Sequence, residues 1–236
     1  MNIFVTGASK GIGRKIAQDL KSSKHKIFVS ARNEQALKDL KPAGYLLCDL
    51  ANEYELSKLG DFIAENKIDV LINNAGEYIY SEIENTKINK LNHIIAVNLK
   101  APIYLTARAV PYMKEHGFGR IINIGSISGV MGEACASLYS ATKSGLIGFS
   151  KATALELAQY GITVNTINPG WVETELGTDS IEQSEFSKEE IIDCIPQKRF
   201  VEPKEVASMV KYLISEDAKG VTGQSINLCA GLSVGI

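Results

Sequence analysis

The sequence predicts a single α/β domain: a doubly wound, seven-stranded parallel sheet with helices on both faces. Three observations carry that expectation. Short apolar, β-branched runs alternate along the chain with stretches of helical period, the order expected of strand-helix-strand units. The fourth run, Asp69 to Ile72, is almost wholly apolar, as befits a strand covered on both faces. A glycine-rich turn separates the first run from the first helical pattern. At 236 residues the chain is long enough for one such domain with a sizeable core. No internal repeat or low-complexity tract divides it.

Asn2 to Thr6 is the first strand. Thr6-Gly7-Ala8-Ser9-Lys10-Gly11-Ile12-Gly13 follows and runs into a helical pattern with Ile16, Ala17 and Leu20 on one side. Small residues between strand and helix let the backbone approach a pyrophosphate, whose charge the helix N-terminus favours. Gly7, Ser9, Lys10, Gly11, Ile12 and Gly13 are therefore candidate dinucleotide contacts. The second strand, Lys26 to Ser30, ends in Ala31-Arg32-Asn33. This is about 20 residues after the turn, where an NAD site carries an acid for the ribose 2′-hydroxyl and an NADP site a cation for the 2′-phosphate. No acid comes before Glu34. Arg32 and Lys10 converging on one phosphate favour NADP(H); the alternative is that both are solvated surface charges. Gly44 to Cys48 is the third strand. Asp49, with Leu50 beside it, either accepts a hydrogen bond from an adenine amino group or caps the next helix.

The fourth strand runs into Asn73-Asn74-Ala75-Gly76, which puts Asn74, Ala75 and Gly76 at the carboxyl edge, where open α/β sheets bind ligands. Lys87 to Glu115 reads as one helical stretch with Asn98 in its middle, a poor place for an amide unless it is bonded. Ile121 to Ile124 is the fifth strand and delivers Ser126. A helix from Tyr139 to Gln159 and a sixth strand from Thr163 to Ile167 follow. That strand ends in Asn168-Pro169-Gly170-Trp171-Val172-Glu173-Thr174, a turn signal. Residues 174–200 are expected to form a substrate lid. From Glu173 to Asp193 the chain carries eight acids, Glu185 among them, against the single cation Lys188. They read as a solvated helical face; turned to the pocket, they would disfavour an anionic substrate. The last helix opens at Pro203 and Glu205, and Gly223 to Leu228 is the seventh strand.

The candidate chemistry lies between Ser126 and Lys143. With Tyr139 opening a helix, Lys143 falls on the same face, the Cβ atoms about 5 to 6 Å apart. An ammonium so placed favours the phenolate and lowers the tyrosine pKa from about 10 toward neutrality, where a phenol serves as general acid or base. A Ser126 hydroxyl aimed at the same point would hydrogen-bond a carbonyl oxygen. Together these groups suit proton delivery to a C=O under reduction, or the reverse. The plainer alternative is a packed ring with a solvated amine over it.

Composition narrows the classes further. Lys plus Arg is 25 and Asp plus Glu is 27, a net charge of -2 that points to neither nucleic acid nor an anionic membrane as partner. Cys48, Cys135, Cys194 and Cys229 form no C-x-x-C pair, as expected of reduced thiols in a cytosolic enzyme. No metal-ligand set is expected. Without a signal-like segment or a run of membrane length, a cytoplasmic location is expected.

Taken in order and spacing, these motifs resemble the short-chain dehydrogenase/reductase family over essentially the whole chain. The family's Thr-Gly-x-x-x-Gly-x-Gly stands at Thr6 to Gly13, Asn-Asn-Ala-Gly at Asn73 to Gly76, and its serine at Ser126. Tyr-x-x-x-Lys stands at Tyr139 to Lys143, and the Pro-Gly turn at Pro169-Gly170. The resemblance implies a Rossmann fold, with Tyr139 as proton donor in reduction and Lys143 binding the nicotinamide ribose and holding the tyrosine pKa down. Ser126 would orient the carbonyl, and Asn98 would hold a water that relays protons to Lys143. Val172 and Thr174 match positions that often meet the carboxamide, and Lys10 and Arg32 match NADP-preferring members.

Around the site, Gly129-Val130-Met131-Gly132 and Gly145 to Lys151 are closest to 3-oxoacyl thioester reductases. This implies NADPH-dependent reduction of a 3-oxoacyl group on acyl carrier protein or coenzyme A. Gly117 and Tyr160 stand where some carrier-protein reductases have docking arginines, leaving Lys114, Arg120 and Lys151 to compensate. Gly125 stands where many members have Ser and reads as a tolerated variant. A dehydrogenase of a sugar, polyol, steroid or other secondary alcohol is the alternative, and a non-catalytic NADP-binding sensor or scaffold is a reading of another class. A homo-oligomer, a tetramer, is expected by resemblance alone.

Overall fold

The computed structural model of the chain describes residues 1–22, 24–184 and 186–234; Glu185 of the expected lid lies outside them. Strands β1 (Asn2–Thr6), β2 (Lys26–Ala31), β3 (Gly44–Leu47), β4 (Val70–Asn73), β5 (Gly119–Ile124), β6 (Ile162–Pro169) and β7 (Ser225–Leu228) form one sheet. Every pairing is parallel, and the order is β3-β2-β1-β4-β5-β6-β7. The order reverses between β1 and β4, so the crevice outside their carboxyl ends is where such a sheet takes a ligand.

The helices are α1 (Gly11–Leu20), α2 (Glu34–Asp39), α3 (Glu53–Glu65), α4 (Ile88–Ile95), α5 (Ala101–His116), α6 (Ser128–Met131), α7 (Ser137–Leu157), α8 (Glu175–Gln183), α9 (Lys188–Cys194) and α10 (Pro203–Leu213). Side chains alternate across β1 with the strand period of two. Ile3 and Val5 pack with Ile16 and Leu20 of α1, Leu37 of α2 and Val206 and Val210 of α10. Phe4 packs with Leu59 and Ile63 of α3, Leu105 and Met113 of α5 and Leu157 of α7 on the other face. Each such buried aliphatic side chain stabilises by about 1.5–3 kcal/mol, and the two layers hold the strand ends in a fixed register. Asn52, rather than Asp49, caps α3: its side chain accepts from the amides of Tyr54 and Glu55. Asp49 instead accepts from the amide of Ala51 at 3.0 Å.

The helical stretch expected from Lys87 to Glu115 is interrupted. Between α4 and α5, Ala96–Lys100 makes a π turn, and the amide of Ala101 reaches back five residues to the carbonyl of Ala96. Pro102 supplies a reason. A proline has no N–H to offer the carbonyl four residues earlier, and here that carbonyl belongs to Asn98. Turns of this kind recur at functional sites; this one carries the buried Asn98.

Gly125 is required rather than tolerated. A Cβ there would lie 2.2 Å from Asn168 Oδ1 and 2.8 Å from Thr166 Cγ2. Asn168 is fully buried and cannot swing away, because its amide donates to Ser225 Oγ at 2.7 Å and to Asn227 Oδ1 at 3.1 Å. Gly125→Ser is expected to destabilise the fold by about 1–3 kcal/mol, the cost of overpacking a filled core, and urea unfolding measures it; an unchanged midpoint would show that Asn168 can move.

Arg120, counted among the compensating surface cations, is 2% exposed. It donates to the carbonyls of Gly119 and Gly161 at 2.9 and 3.1 Å, with Glu216 at 3.7 Å. It braces the start of β5 and cannot receive a carrier protein. Gly117 ends α5 in the left-handed conformation, φ 62°.

Candidate active site

A cleft of about 590 Å³ opens at the carboxyl edge of the sheet. Of the expected cofactor contacts, Gly7, Lys10, Gly11, Ile12, Asn74, Ala75, Gly76, Pro169, Gly170, Val172 and Thr174 line it, together with Ser126, Tyr139 and Lys143. Ser9, Gly13, Arg32, Asp49, Leu50 and Asn98 do not form its wall.

Thr6 joins the glycine turn to the segment after β4. Its hydroxyl accepts from the amides of Asn74 and Ala75 at 2.9 and 3.0 Å, and Asn74 Nδ2 donates back to Thr6 O at 2.9 Å. Within this turn Gly13 allows a close approach: a Cβ there would stand 2.3 Å from Asn74 Nδ2 and 2.5 Å from the carbonyl of Gly7. The first turn of α1 has no capping side chain and no acid, so its orphan N–H groups and positive dipole end remain available to an anion. A dinucleotide pyrophosphate fits this cradle.

Tyr139 and Lys143 lie in α7, which starts two residues before the expected position, at Ser137. They share a helix face, with Nζ 5.6 Å from the ring centroid. Lys143 is 4% exposed and donates to the carbonyl of Ile124 at 2.8 Å. Asn98 uses its amide on a neighbour: Oδ1 accepts from Glu77 N at 2.9 Å, and Nδ2 donates to Glu77 O at 2.8 Å. The side chain therefore clamps the segment after β4.

The cleft's own groups run against the expected lowering of the tyrosine pKa. Burial pushes the Tyr139 phenol up to about 12, with hydrogen bonding to Ser126 pulling it down and the charge of Glu133 pushing it further up. Burial also brings Lys143 down to about 8. Sitting beside the ring does not make Lys143 an effective partner for the phenolate, because the amine loses its proton well before the phenol does.

Thr174 caps α8, its hydroxyl accepting from Gly177 N at 3.2 Å. Both cations expected at the 2′-phosphate are held by acids: Lys10 pairs with Glu175 at 2.7 Å and Arg32 with Glu77 at 3.1 Å. Of the acids expected on the lid, Glu175 and Glu190 line the cleft.

A protein-family model described as enoyl-(acyl carrier protein) reductase matches residues 7–233. A 3-oxoacyl-(acyl carrier protein) reductase of Buchnera aphidicola subsp. Baizongia pistaciae is 36% identical over 236 residues, spanning 97% of this chain and 95% of its own. The chain belongs to the short-chain dehydrogenase/reductase family. As a member of it, the chain is an oxidoreductase. A crystal structure of a variant of actinorhodin polyketide ketoreductase with NADPH matches at TM-score 0.92 and 37% identity, covering 99% of this chain and 97% of that one. YwfH, an NADPH-dependent reductase involved in bacilysin biosynthesis, matches at TM-score 0.92 and 29% identity, covering 100% and 99%.

This short-chain dehydrogenase/reductase also holds polar groups to which the sequence alone assigned no role. Glu77 receives Arg32 and His93 on its carboxylate, the latter at 2.6 Å, while Asn98 clamps its backbone. Glu133 receives Tyr78 and Ser128, each at 2.6 Å. Ser128 Oγ in turn accepts from Ser126 Oγ at 3.1 Å. The available signal for Glu133 was its place in the loop between Ser126 and Tyr139, which must border both.

Proposed function

We propose that the chain is an NADPH-dependent carbonyl reductase that converts a ketone to a secondary alcohol, with a 3-oxoacyl thioester on acyl carrier protein or coenzyme A as the leading substrate class. The observation that carries this reading is the meeting of Ser126, Tyr139 and Lys143 in the cleft that also holds the glycine cradle. When bound, NADPH supplies the hydride, so the chain's own work is orientation and proton transfer. Ser126 donates a hydrogen bond to the carbonyl oxygen, and Tyr139 gives that oxygen its proton. Lys143 holds the cofactor ribose and passes protons toward Tyr139. Asn98 serves the relay through position: its carbonyl lacks an α-helical donor because residue 102 is proline. A side chain at Gly76 would stand 3.4 Å from both Asn98 Oδ1 and Lys143 Nζ; glycine there keeps amide and ammonium within reach of one bridging water.

NADP(H) is favoured by Lys10 and Arg32, by the lack of an acid before Glu34, and by the NADPH in the names of the related structures. Both cations are more than half exposed in their present pairs, and such surface pairs are worth only about 0–1 kcal/mol. A phosphate can therefore displace Glu77 and Glu175 at little cost. Arg32→Ala is expected to raise the NADPH dissociation constant about tenfold, the low end of a hydrogen bond to a charged group, and to leave NADH nearly unaffected. Equal losses in a fluorescence titration would remove Arg32 from the 2′-phosphate.

Residues 174–200 serve in this reading as a lid, for which α8 and α9 supply Leu176 and Ile191 to the cleft wall. The exposed Ile88 and Leu155 support a homo-oligomer, a tetramer by resemblance; sedimentation velocity measures it. A second reading, a dehydrogenase of a sugar or polyol, draws on Glu133 in the cleft and on the absence of carrier-docking arginines at Gly117 and Tyr160. NADPH and NADH consumption with an acetoacetyl thioester, beside simple ketones and keto-sugars, separates the two. Fast NADPH turnover of the thioester alone supports the leading class; activity only on keto-sugars moves the assignment to the second.

A further inference from the structure

We propose that Glu133 is a specificity-determining residue, selecting carbonyl substrates that carry a hydrogen-bond donor, a hydroxyl or an ammonium, beside the reacting carbonyl, and turning away carboxylates. The proposal rests on the carbonyl-reductase reading and, within it, favours the second substrate class, keto-sugars with a hydroxyl beside the carbonyl, over 3-oxoacyl thioesters, whose neighbouring carbon carries no donor.

Glu133 lines the cleft and bonds to a neighbour of each catalytic side chain. On one side its Oε2 accepts from Ser128 Oγ, which accepts from Ser126 Oγ. On the other its Oε1 accepts from Tyr78, whose ring meets that of Tyr139 edge to face with centroids 5.1 Å apart. In this proposal a substrate whose carbonyl oxygen reaches Ser126 and Tyr139 turns its neighbouring carbon toward the part of the cleft wall that Glu133 forms.

Glu133 also has unused hydrogen-bonding capacity. A carboxylate offers about four lone-pair sites, and the two hydroxyl donors take one on each oxygen. Among the described residues no Lys, Arg or His lies within 4.0 Å of it. The cations that line the cleft are otherwise engaged: Lys10 by Glu175 at 2.7 Å, and Lys143, buried, by the carbonyl of Ile124 at 2.8 Å. A charged acceptor without a counter-charge, in a wall that includes Trp171, Leu176 and Ile191, gains most from a donor that the ligand itself supplies.

The carboxylate is also held in place. The loop that carries Glu133 is pinned to the segment after β4 by the Tyr78 hydrogen bond and by Ser81 N donating to the carbonyl of Cys135 at 2.6 Å. The acceptor is thus held in place before a ligand arrives, which lowers the ordering cost of binding.

The test uses four phenyl ketones that differ only beside the carbonyl: α-aminoacetophenone, α-hydroxyacetophenone, propiophenone and benzoylformate. Binding to the NADPH-loaded protein is followed by Trp171 fluorescence, and turnover by NADPH oxidation. The amino and hydroxy ketones are expected to bind about 10- to 100-fold tighter than propiophenone, the range for a hydrogen bond to a charged group, with benzoylformate weakest. Glu133→Gln, close in shape, is expected to shrink the amino-to-propiophenone ratio about tenfold or more, and Glu133→Leu to abolish it. Equal affinities across the set, binding of none, or ratios unchanged in both variants would overturn the proposal. The expected ranking without NADPH oxidation of any ketone would uphold the recognition and sink the reductase reading instead.

Discussion

Tyr139→Phe is expected to lower turnover by about 10²- to 10⁴-fold, the contribution of a positioned general acid, with little change in NADPH affinity or folding. Phenylalanine keeps the ring that packs edge to face on Tyr78 and removes only the hydroxyl. A variant that retains near-normal turnover would end the role assigned to Tyr139. The same site sets a pH profile. Lys143, brought down to about 8 by burial, carries its charge only below that pH, so a rate that depends on the ammonium falls as pH rises through about 8.

The stability signs follow from the same two groups. The native state releases the Lys143 proton near 8 while the unfolded chain keeps it to 10.5, so this residue makes stability rise with pH across that interval. Tyr139 works in the opposite direction: its native form keeps the proton from 10.0 up to about 12 after the unfolded chain has lost it. Its contribution is full below 10.0 and falls as pH rises toward 12. Urea titrations of Lys143→Met and Tyr139→Phe against wild type across this range read the two slopes separately; a wild-type pH profile kept by the variants would refute both assignments.

Gly13→Ala is expected to raise the NADPH dissociation constant about tenfold or more and to destabilise the fold by about 1–3 kcal/mol, the range for overpacking. The new methyl would meet the Gly7 carbonyl at 2.5 Å as well as Asn74 Nδ2 at 2.3 Å. The carbonyl is backbone, so α1 must back away from the turn. Asn74 cannot yield easily either, since it is bonded to Thr6 and Gly7. Loss of phosphate affinity follows from moving the helix terminus, and a melt of the loaded and unloaded protein separates the two effects. Unchanged cofactor affinity would show that the cradle tolerates the shift.

The fold was legible because its signals are local. Most strands of the sheet are short runs rich in apolar and β-branched residues, and the alternation of strand and helix leaves few topologies once parallel connections are assumed. Ser126, Tyr139 and Lys143 were legible for a similar reason. The first follows a strand end, and the helical period alone puts the other two on one face. The π turn was written in the sequence as Asn98 followed four residues later by Pro102, but a helical pattern of apolar residues on either side hid it.

What the sequence by itself determined is therefore the sheet, the glycine turn, the family and the groups brought to the carboxyl edge. Tertiary structure alone decided which charges act there. Arg120 became a buried brace through the carbonyl of Gly161, and Gly125 became obligatory through Asn168 on the neighbouring strand. Arg32 and Lys10 found Glu77 and Glu175, and Glu133 found Tyr78, 55 residues away. The proton affinity of Tyr139 turned upward for the same reason. Local period fixes which way a side chain leaves its own helix or strand, whereas desolvation and hydrogen bonding depend on what distant segments bring against it.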